Sequence, residues 1–439
     1  MEQLPFTDDT VIFSLLCFCL GFVFFTSNSK LKFWRKFYSV VPTVLMCYLL
    51  PAILVSTGLI NPDKIICVDF DKACNTCMEF DKISYTYYIA SRYLLPAALI
   101  LMTLSIDLKA IFNLGSKALI MFLTGTLGII IGGPIAILIV SIFSPETVGG
   151  AGFDAVWRGL ATIAGSWIGG GANQAAMLEV FQFNQEKYGG MVLIDIVVAN
   201  VWMAIILLGI GKTKKIDKWL QADTSSIEAL KIKVTEHTKK IERVTSLHDF
   251  IMLLFYAFFG VGLAHFFGHY IAEFLEANFE VIRNKEKILS SLGSKFLWMV
   301  VVATAIGISL SFTKAKNYEG AGASKIGGVF IYILVATIGM KMDLGRVMEN
   351  PGLIAIGFIW ISIHAGLLIL VAKLIKAPYF FLAVGSQANV GGAASAPVVA
   401  AEFHPSLTSV GILLAVFGYV VGTAGAYICA LLMEVAATV

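Results

Sequence analysis

Runs of Leu, Ile, Val, Phe and Ala alternate along this chain with short polar segments. A helix needs about 20 residues to cross roughly 30 Å of hydrocarbon. Ten runs approach or exceed that length: 11–27, 38–58, 88–106, 117–143 and 190–210, then 249–270, 296–312, 326–342, 352–372 and 406–433. Two more stretches, 154–182 and 379–403, are apolar in outline but crowded with Gly, Ser, Asn and Gln. They contain "GSWIGGGANQAAM", Gly165 to Met177, and "GSQANVGGAASAP", Gly385 to Pro397. The pattern predicts an all-α polytopic membrane protein. Residues 1–210 form its first half and 249–439 its second, and 211–248 is a short amphipathic, solvated linker between them.

The halves repeat one another. Asp107 in "SIDLKA" and Asp343 in "KMDLGR" each close a span, and a long Gly-containing span and then a Gly-rich motif follow in both cases. The matched features lie 220 to 236 residues apart, which predicts an internal repeat of the kind common in secondary transporters.

Charge decides how the repeats are oriented. The linker holds nine Lys/Arg against five Asp/Glu, and cytoplasmic loops are the ones enriched in basic residues. If 154–182 and 379–403 each enter and leave on one side, the segments assigned inside carry 20 Lys/Arg and those outside carry 7. Five spans per half then follow, so the repeats are inverted, with both termini outside and the linker cytoplasmic. The acidic start, MEQLPFTDD, lacks the basic n-region of a signal peptide, so 11–27 is read as a true span. The location implied is the plasma (inner) membrane, multi-pass.

Composition agrees: 58% hydrophobic, 14% charged and a mean hydropathy of +0.84, outside the range of soluble domains. The chain shows no P-loop, nucleotide fingerprint or nucleic-acid patch, and no HExxH or GxSxG motif. These observations argue against an ATP-driven pump, a nucleic-acid partner and an enzyme.

Candidate chemistry therefore concentrates in the two Gly-rich motifs. Irregular backbone at membrane depth is tolerated only where protein buries it or water reaches it. Gly170 and Gly171, and likewise Gly391 and Gly392, permit positive φ and close approach. Helix ends created there present free N–H and C=O groups to an anion or a cation. Ser166, Asn173, Gln174, Ser386, Gln387, Asn389 and Ser395 add neutral donors and acceptors. The competing reading, small residues serving helix packing alone, fits one such motif better than a matched pair.

Outside the motifs, Asp195 and Asn200 in "MVLIDIVVANVWM" are candidates for ion coupling together with Asn173 and Asn389. Five residues separate Asp195 from Asn200, so they stand about 140° apart on a helix. Asp195 also fits an interfacial position. Arg158 suits either anion attraction or a pair with Asp154. Asp107 and Asp343 read as helix-end anchors, Glu179 and Glu402 as residues at the hairpin bases, and His364 as either a packing residue or a proton relay. His265 and His269 have metal-ligand spacing but no third ligand. Cys67, Cys74 and Cys77 leave any disulfide pairing open.

The two Gly-rich motifs, the matched "SIDLKA" and "KMDLGR" and the basic linker resemble the domain-of-unknown-function-819 (YjcL-like) membrane family over essentially the whole chain. That family is distantly similar to the sodium/glutamate and 2-hydroxycarboxylate (citrate) symporters. The resemblance implies two inverted five-span repeats, each with a Gly-rich re-entrant segment, and a dimeric, elevator-type transporter. The expected function is ion-coupled symport of a small anionic or zwitterionic solute such as a carboxylate, amino acid or short peptide. Neutral oxygens suit sodium as the coupling ion, and no other cofactor is expected. Proton coupling, a passive channel and a membrane-embedded sensor or partner subunit are the alternatives.

Overall fold

The computed structural model describes residues 6–38, 41–71, 76–106, 111–112, 114–225, 227, 245–283, 288–346, 350–404 and 407–438, with backbone alone for 64–71, 76–83 and 288. Most of it is helix. The helices used below are α1 (Asp9–Ser27), α2 (Lys32–Tyr38), α3 (Thr43–Ser56), α4 (Tyr85–Leu104), α5 (Ser116–Phe143), α6 (Val156–Phe181), α7 (Tyr188–Ile210) and α8 (Thr213–Leu220). The second half supplies α9 (Leu247–Asn278), α10 (Lys295–Ser311), α11 (Ala323–Gly339), α12 (Gly352–Leu374), α13 (Tyr379–Val390), α14 (Gly392–Phe403) and α15 (Thr408–Ala437).

A helix stands at each of the ten positions read from the apolar runs. Among the described residues seven are long and apolar enough to cross a membrane, or nine if two bent pairs each count as one span. One bent pair, α2 with α3, turns through 95°. Pro42 caps α3 and has no N–H for a continuing helix. The other joins α10 to the 3-10 turn Lys314–Ala321 at 97°, and α11, like α10, has 17 residues. The segment between α3 and α4, read as a loop, forms an antiparallel pair, β1 (Lys64–Asp71) and β2 (Thr76–Ile83).

Capping fixes several helix starts. Asp8 accepts from the backbone N–H of Thr10 and Val11 ahead of α1, and Ser246 with Asp249 forms a capping box ahead of α9. Large apolar side chains point outward, among them Phe18 and Phe25 on α1 and Phe259 and Phe274 on α9. Such belts are incompatible with a soluble surface and suit lipid, so the chain is a multi-pass membrane protein.

The chain divides into two compact units. One gathers Met1–Leu95, Gln185–Gly190 and Val329–Glu349. Its core joins Ile12, Leu16, Ile60, Ala336 and Met340, and Lys341 pairs with Asp63. Asp343 lies here as an anchor: its backbone N–H donates to the Glu186 carbonyl (3.1 Å) and its carboxylate meets Arg346 (3.4 Å). Asp107 and residues 228–244 of the linker lie outside the described residues, as do Cys74 and the side chains of Cys67 and Cys77.

The other unit spans Pro96–Asn184, Met191–Gly328 and Asn350–Val439. It contains both Gly-rich segments. Small residues let its helices approach closely. A Cβ on Gly268 of α9 would lie 2.7 Å from the Met299 nitrogen of α10, and one on Gly132 of α5 would meet the Trp360 ring of α12 at 2.7 Å.

Candidate functional site

Both Gly-rich segments fold as helical hairpins. In α6 the helix breaks at Gly170, where φ is +71° and ψ is −172°. That conformation is open to glycine and strained for other residues. Eight residues of straight helix would span about 12 Å, yet a Cβ on Gly165 would lie 2.6 Å from the Asn173 carbonyl oxygen, so the arms lie backbone against backbone. Trp157 and Phe181 close the base with ring centroids 5.4 Å apart. Arg158 Nη1 donates to the Phe181 carbonyl (2.6 Å), placing a cation at the C-terminal end of the second arm.

The second hairpin is built from α13 and α14, broken at Gly391 and at Gly392, where φ is +56°. Gln387 Nε2 donates across the break to Ser395 Oγ at 2.8 Å. Phe403 closes this base against Tyr379 (5.8 Å) and Phe380 (5.3 Å). Glu179 and Glu402 sit near the two bases, as expected. The tips touch: a Cβ on Gly392 would stand 4.0 Å from Gly170 Cα.

Each hairpin is locked by a buried asparagine against a Gly-Thr pair on a facing helix. Asn173 Nδ2 donates to the Gly169 carbonyl (2.9 Å) and its Oδ1 accepts from Thr423 Oγ1 (2.6 Å) of α15. Asn389 Nδ2 donates to the carbonyls of Gly385 (2.9 Å) and Phe122 (2.9 Å), and its Oδ1 accepts from Thr126 Oγ1 (2.8 Å) of α5. Both asparagines are fully buried. The reading of the sequence placed them in the site but missed the threonines. The signal was present as matched G-T-x-G tetrads, Gly125 to Gly128 and Gly422 to Gly425. A Cβ on the first glycine of either tetrad would strike the asparagine amide, at 2.9 Å and 2.6 Å respectively.

The paired serines are held differently. Ser166 Oγ (2.7 Å) and Gln174 Nε2 (3.1 Å) donate to Asp195 Oδ2, and Trp167 Nε1 donates to Oδ1 (2.7 Å). Asp195 is thus a buried carboxylate at the first hairpin. Ser386 lies between Trp202 Nε1 (2.8 Å) and His364 Nε2 (2.8 Å), while His364 Nδ1 reaches the Gly125 carbonyl (2.9 Å). That carbonyl can only accept, so Nδ1 carries a proton. A neutral ring then accepts from the Ser386 hydroxyl, which in turn accepts from Trp202, and every group is satisfied. Asp195 and Trp202 are seven apart on α7 and share one face, so a single helix serves both hairpins.

Asn200 is not brought to the site. It is exposed on another face of α7 and its amide donates to its own helix at Ile196 O (2.7 Å). The 140° offset from Asp195 is the reason. Asp154 accepts from Asn184 (2.7 Å), and Arg158 spends its contact on the hairpin base. His269 pairs with Glu273 (3.0 Å) on the exposed side of α9, and no group of three metal-ligating side chains occurs among the described residues. Gly171 follows the break in the first hairpin, half-buried like Gly170.

A family model described as "Protein of unknown function (DUF819)" matches residues 14–435. The uncharacterized membrane protein YjcL of Bacillus subtilis (strain 168) is 25% identical over 336 residues, covering 75% of this chain and 79% of YjcL. With nearly its whole length matched, the chain belongs to the DUF819 family of membrane proteins.

Proposed function

We propose that this protein is an ion-coupled secondary transporter of a small anionic or zwitterionic organic solute. The observation that carries the reading is the meeting of two hairpin tips at Gly170 and Gly392, each tip a break at a glycine of positive φ. Broken helices supply what a solute site in a membrane needs: backbone N–H and C=O groups without intrahelical partners, held in place by buried side chains. The side-chain amides of Asn173 and Asn389 are satisfied internally, so they set hairpin geometry and leave contact with the solute to the tips.

On this reading the ten apolar helices cross the bilayer as two inverted sets of five, and the hairpins enter from opposite sides. The unit containing both hairpins shifts as an elevator in a homodimer, in the plasma membrane, with the linker cytoplasmic. Sodium is the coupling ion, since the first hairpin, away from the tip of the second, holds the carboxylate of Asp195 against the side chains of Ser166 and Gln174. Purified protein in liposomes should accumulate a solute from a panel of organic acids, amino acids and short peptides when a sodium gradient is imposed. Uptake that follows ΔpH and ignores sodium would exchange the coupling ion for a proton, and flux that never exceeds equilibrium would make the protein a facilitator.

A further inference from the structure

Most of the polar side chains in the two motifs are spoken for. Trp167, Gln174 and Ser166 donate to Asp195, Asn173 and Asn389 donate to hairpin carbonyls, and Ser386 is held by Trp202 and His364. Among the described residues of these motifs, one buried side-chain atom has no hydrogen-bond partner: Gln387 Oε1. The residue is 1% exposed. A buried acceptor left unpaired is destabilising, a cost that a Leu at this position would avoid.

The orphan oxygen lies at a helix start. The Gln387 carboxamide folds over Gly391, where a Cβ would collide with both its Nε2 and Ser395 Oγ. Its hydrogen bond to Ser395 sets it against the first turn of the 12-residue helix α14, which has no side-chain cap. The N–H groups of that turn lack intrahelical acceptors and carry the positive end of the helix dipole. Ala393 and Ala394, in the same turn, are exposed. The exposed turn therefore borders the buried Gln387 carboxamide, so that the donors of a helix start and one unpaired acceptor lie close together.

We propose that the tip of the second hairpin is a subsite for a zwitterion: the first turn of α14 takes a carboxylate and Gln387 Oε1 accepts from an ammonium or amide N–H on the same molecule. This rests on the transporter reading and narrows its substrate to amino acids or short peptides over plain carboxylates. A bare alkali cation fits less well. It needs several oxygens where the side chains leave one unclaimed, and the helix N-terminus repels it.

Matched pairs differing in one group test the idea: L-alanine with L-lactate and L-aspartate with L-malate, plus sodium chloride against choline chloride, by equilibrium dialysis on the full-length protein in detergent. Wild type should prefer the amine-bearing member by roughly tenfold or more, the scale of a hydrogen bond to a charged group. Gln387→Leu should erase the preference, while Gln387→Glu should enlarge it, since a carboxylate attracts an ammonium and repels an added carboxylate. Opposite shifts in two variants of one position cannot come from misfolding. Equal binding of amine and hydroxy acid, or a preference that survives Gln387→Leu, overturns the proposal, as does a Gln387-dependent response to sodium with no discrimination within the pairs. Gradient-driven uptake of a solute without any N–H leaves the transporter reading standing and removes this one. Amine-selective binding without uptake does the reverse, and no binding by wild type to any of the four probes counts against the subsite itself.

Discussion

The two hairpins share a plan and differ in cover. In the first, both arms are enclosed: from Leu160 to Phe181 no residue is exposed. In the second, every residue of α13 is buried, yet α14 exposes Ala393, Ala394, Val398 and Glu402. Residues 394, 398 and 402 are four apart and form a stripe along one face. Matched tips with unmatched arms describe a device in which one half is packed in and the other has an open side running down from the tip. On the proposed transporter function, the open side is where the cover of the site would change in alternating access.

The sharpest way to break that comparison is to attack the enclosed hairpin at its closest approach. Gly165→Val places a side chain against the carbonyl of Asn173, a backbone atom that cannot swing aside. The first hairpin should open, at a loss of more than about 4 kcal/mol, and no monodisperse protein should be recovered from detergent. Val398→Asn, on the open arm, should leave yield and melting temperature as in wild type. If both variants behave alike, the arms do not differ as described.

Next in size is the carboxylate that anchors the enclosed hairpin. Asp195→Ala strands the donors of Ser166, Trp167 and Gln174, and each stranded donor costs about 1–3 kcal/mol in a buried setting. Thermal unfolding should show a total loss of roughly 3 kcal/mol or more, greater than that of His364→Leu on α12, which holds the second hairpin through Ser386. A smaller loss at Asp195 than at His364 would reverse the ranking of the two anchors.

The asparagine locks should instead prove equal. Thr126→Val and Thr423→Val each remove one hydroxyl from one asparagine and keep the side-chain shape. Each should lower stability by about 1 kcal/mol, toward the low end for a bond inside a membrane protein. A clear inequality would mean that the repeated Gly-Thr pairs do not do the same job.

What could be read from the sequence follows from which forces act locally. Apolar run length gave the positions of all ten helices, because lipid imposes one requirement on every spanning segment. The glycine clusters gave the hairpins, because glycine takes the positive φ found at 170 and 392 without the cost that a side chain adds. Partners distant in sequence were not visible: Asp195 with Trp167 and Ser386 with Trp202 depend on how α7 packs, and nothing in a run of Leu, Ile and Val sets its rotation. Asn200 is a different case, since its 140° offset from Asp195 was already legible in the spacing. The G-T-x-G tetrads were legible as a repeat and passed over, since Gly and Thr are common in apolar helices. Length alone was a poor guide at α3 and α11, which are helical but too short to pass as independent spans.

The smallest expected effect concerns the base of the second hairpin, where the open arm's partner is tied to the start of the linker. Asp217 of α8 accepts from the Tyr379 backbone N–H (2.7 Å) and so caps α13, which Pro378 at its N-cap cannot do with a side chain. Lys117 Nζ bridges Asp223 Oδ2 (3.2 Å) and the Lys376 carbonyl (3.2 Å), and the Asp223 N–H donates to that same carbonyl (3.1 Å). Hydrogen bonds from Ser225, then Lys117, hold the Asp223 carboxyl down to about 2. A depressed carboxylate stabilises the folded form above its unfolded value of about 4, and that contribution fades as the pH falls through about 2. The tie should therefore be constant at neutral pH and loosen only in acid. Because Asp223 is exposed, the effect should also shrink with salt. Amide exchange at Ala222 and Asp223, corrected for its intrinsic pH dependence, should lose protection between about pH 4 and about pH 2 in wild type. Asp223→Asn should remove that acid step and leave exchange at Gly165 to Asn173 unchanged. A step of the same size in the variant would show that the pin lies elsewhere, and a change at the first hairpin would show that the two hairpins are not independently held.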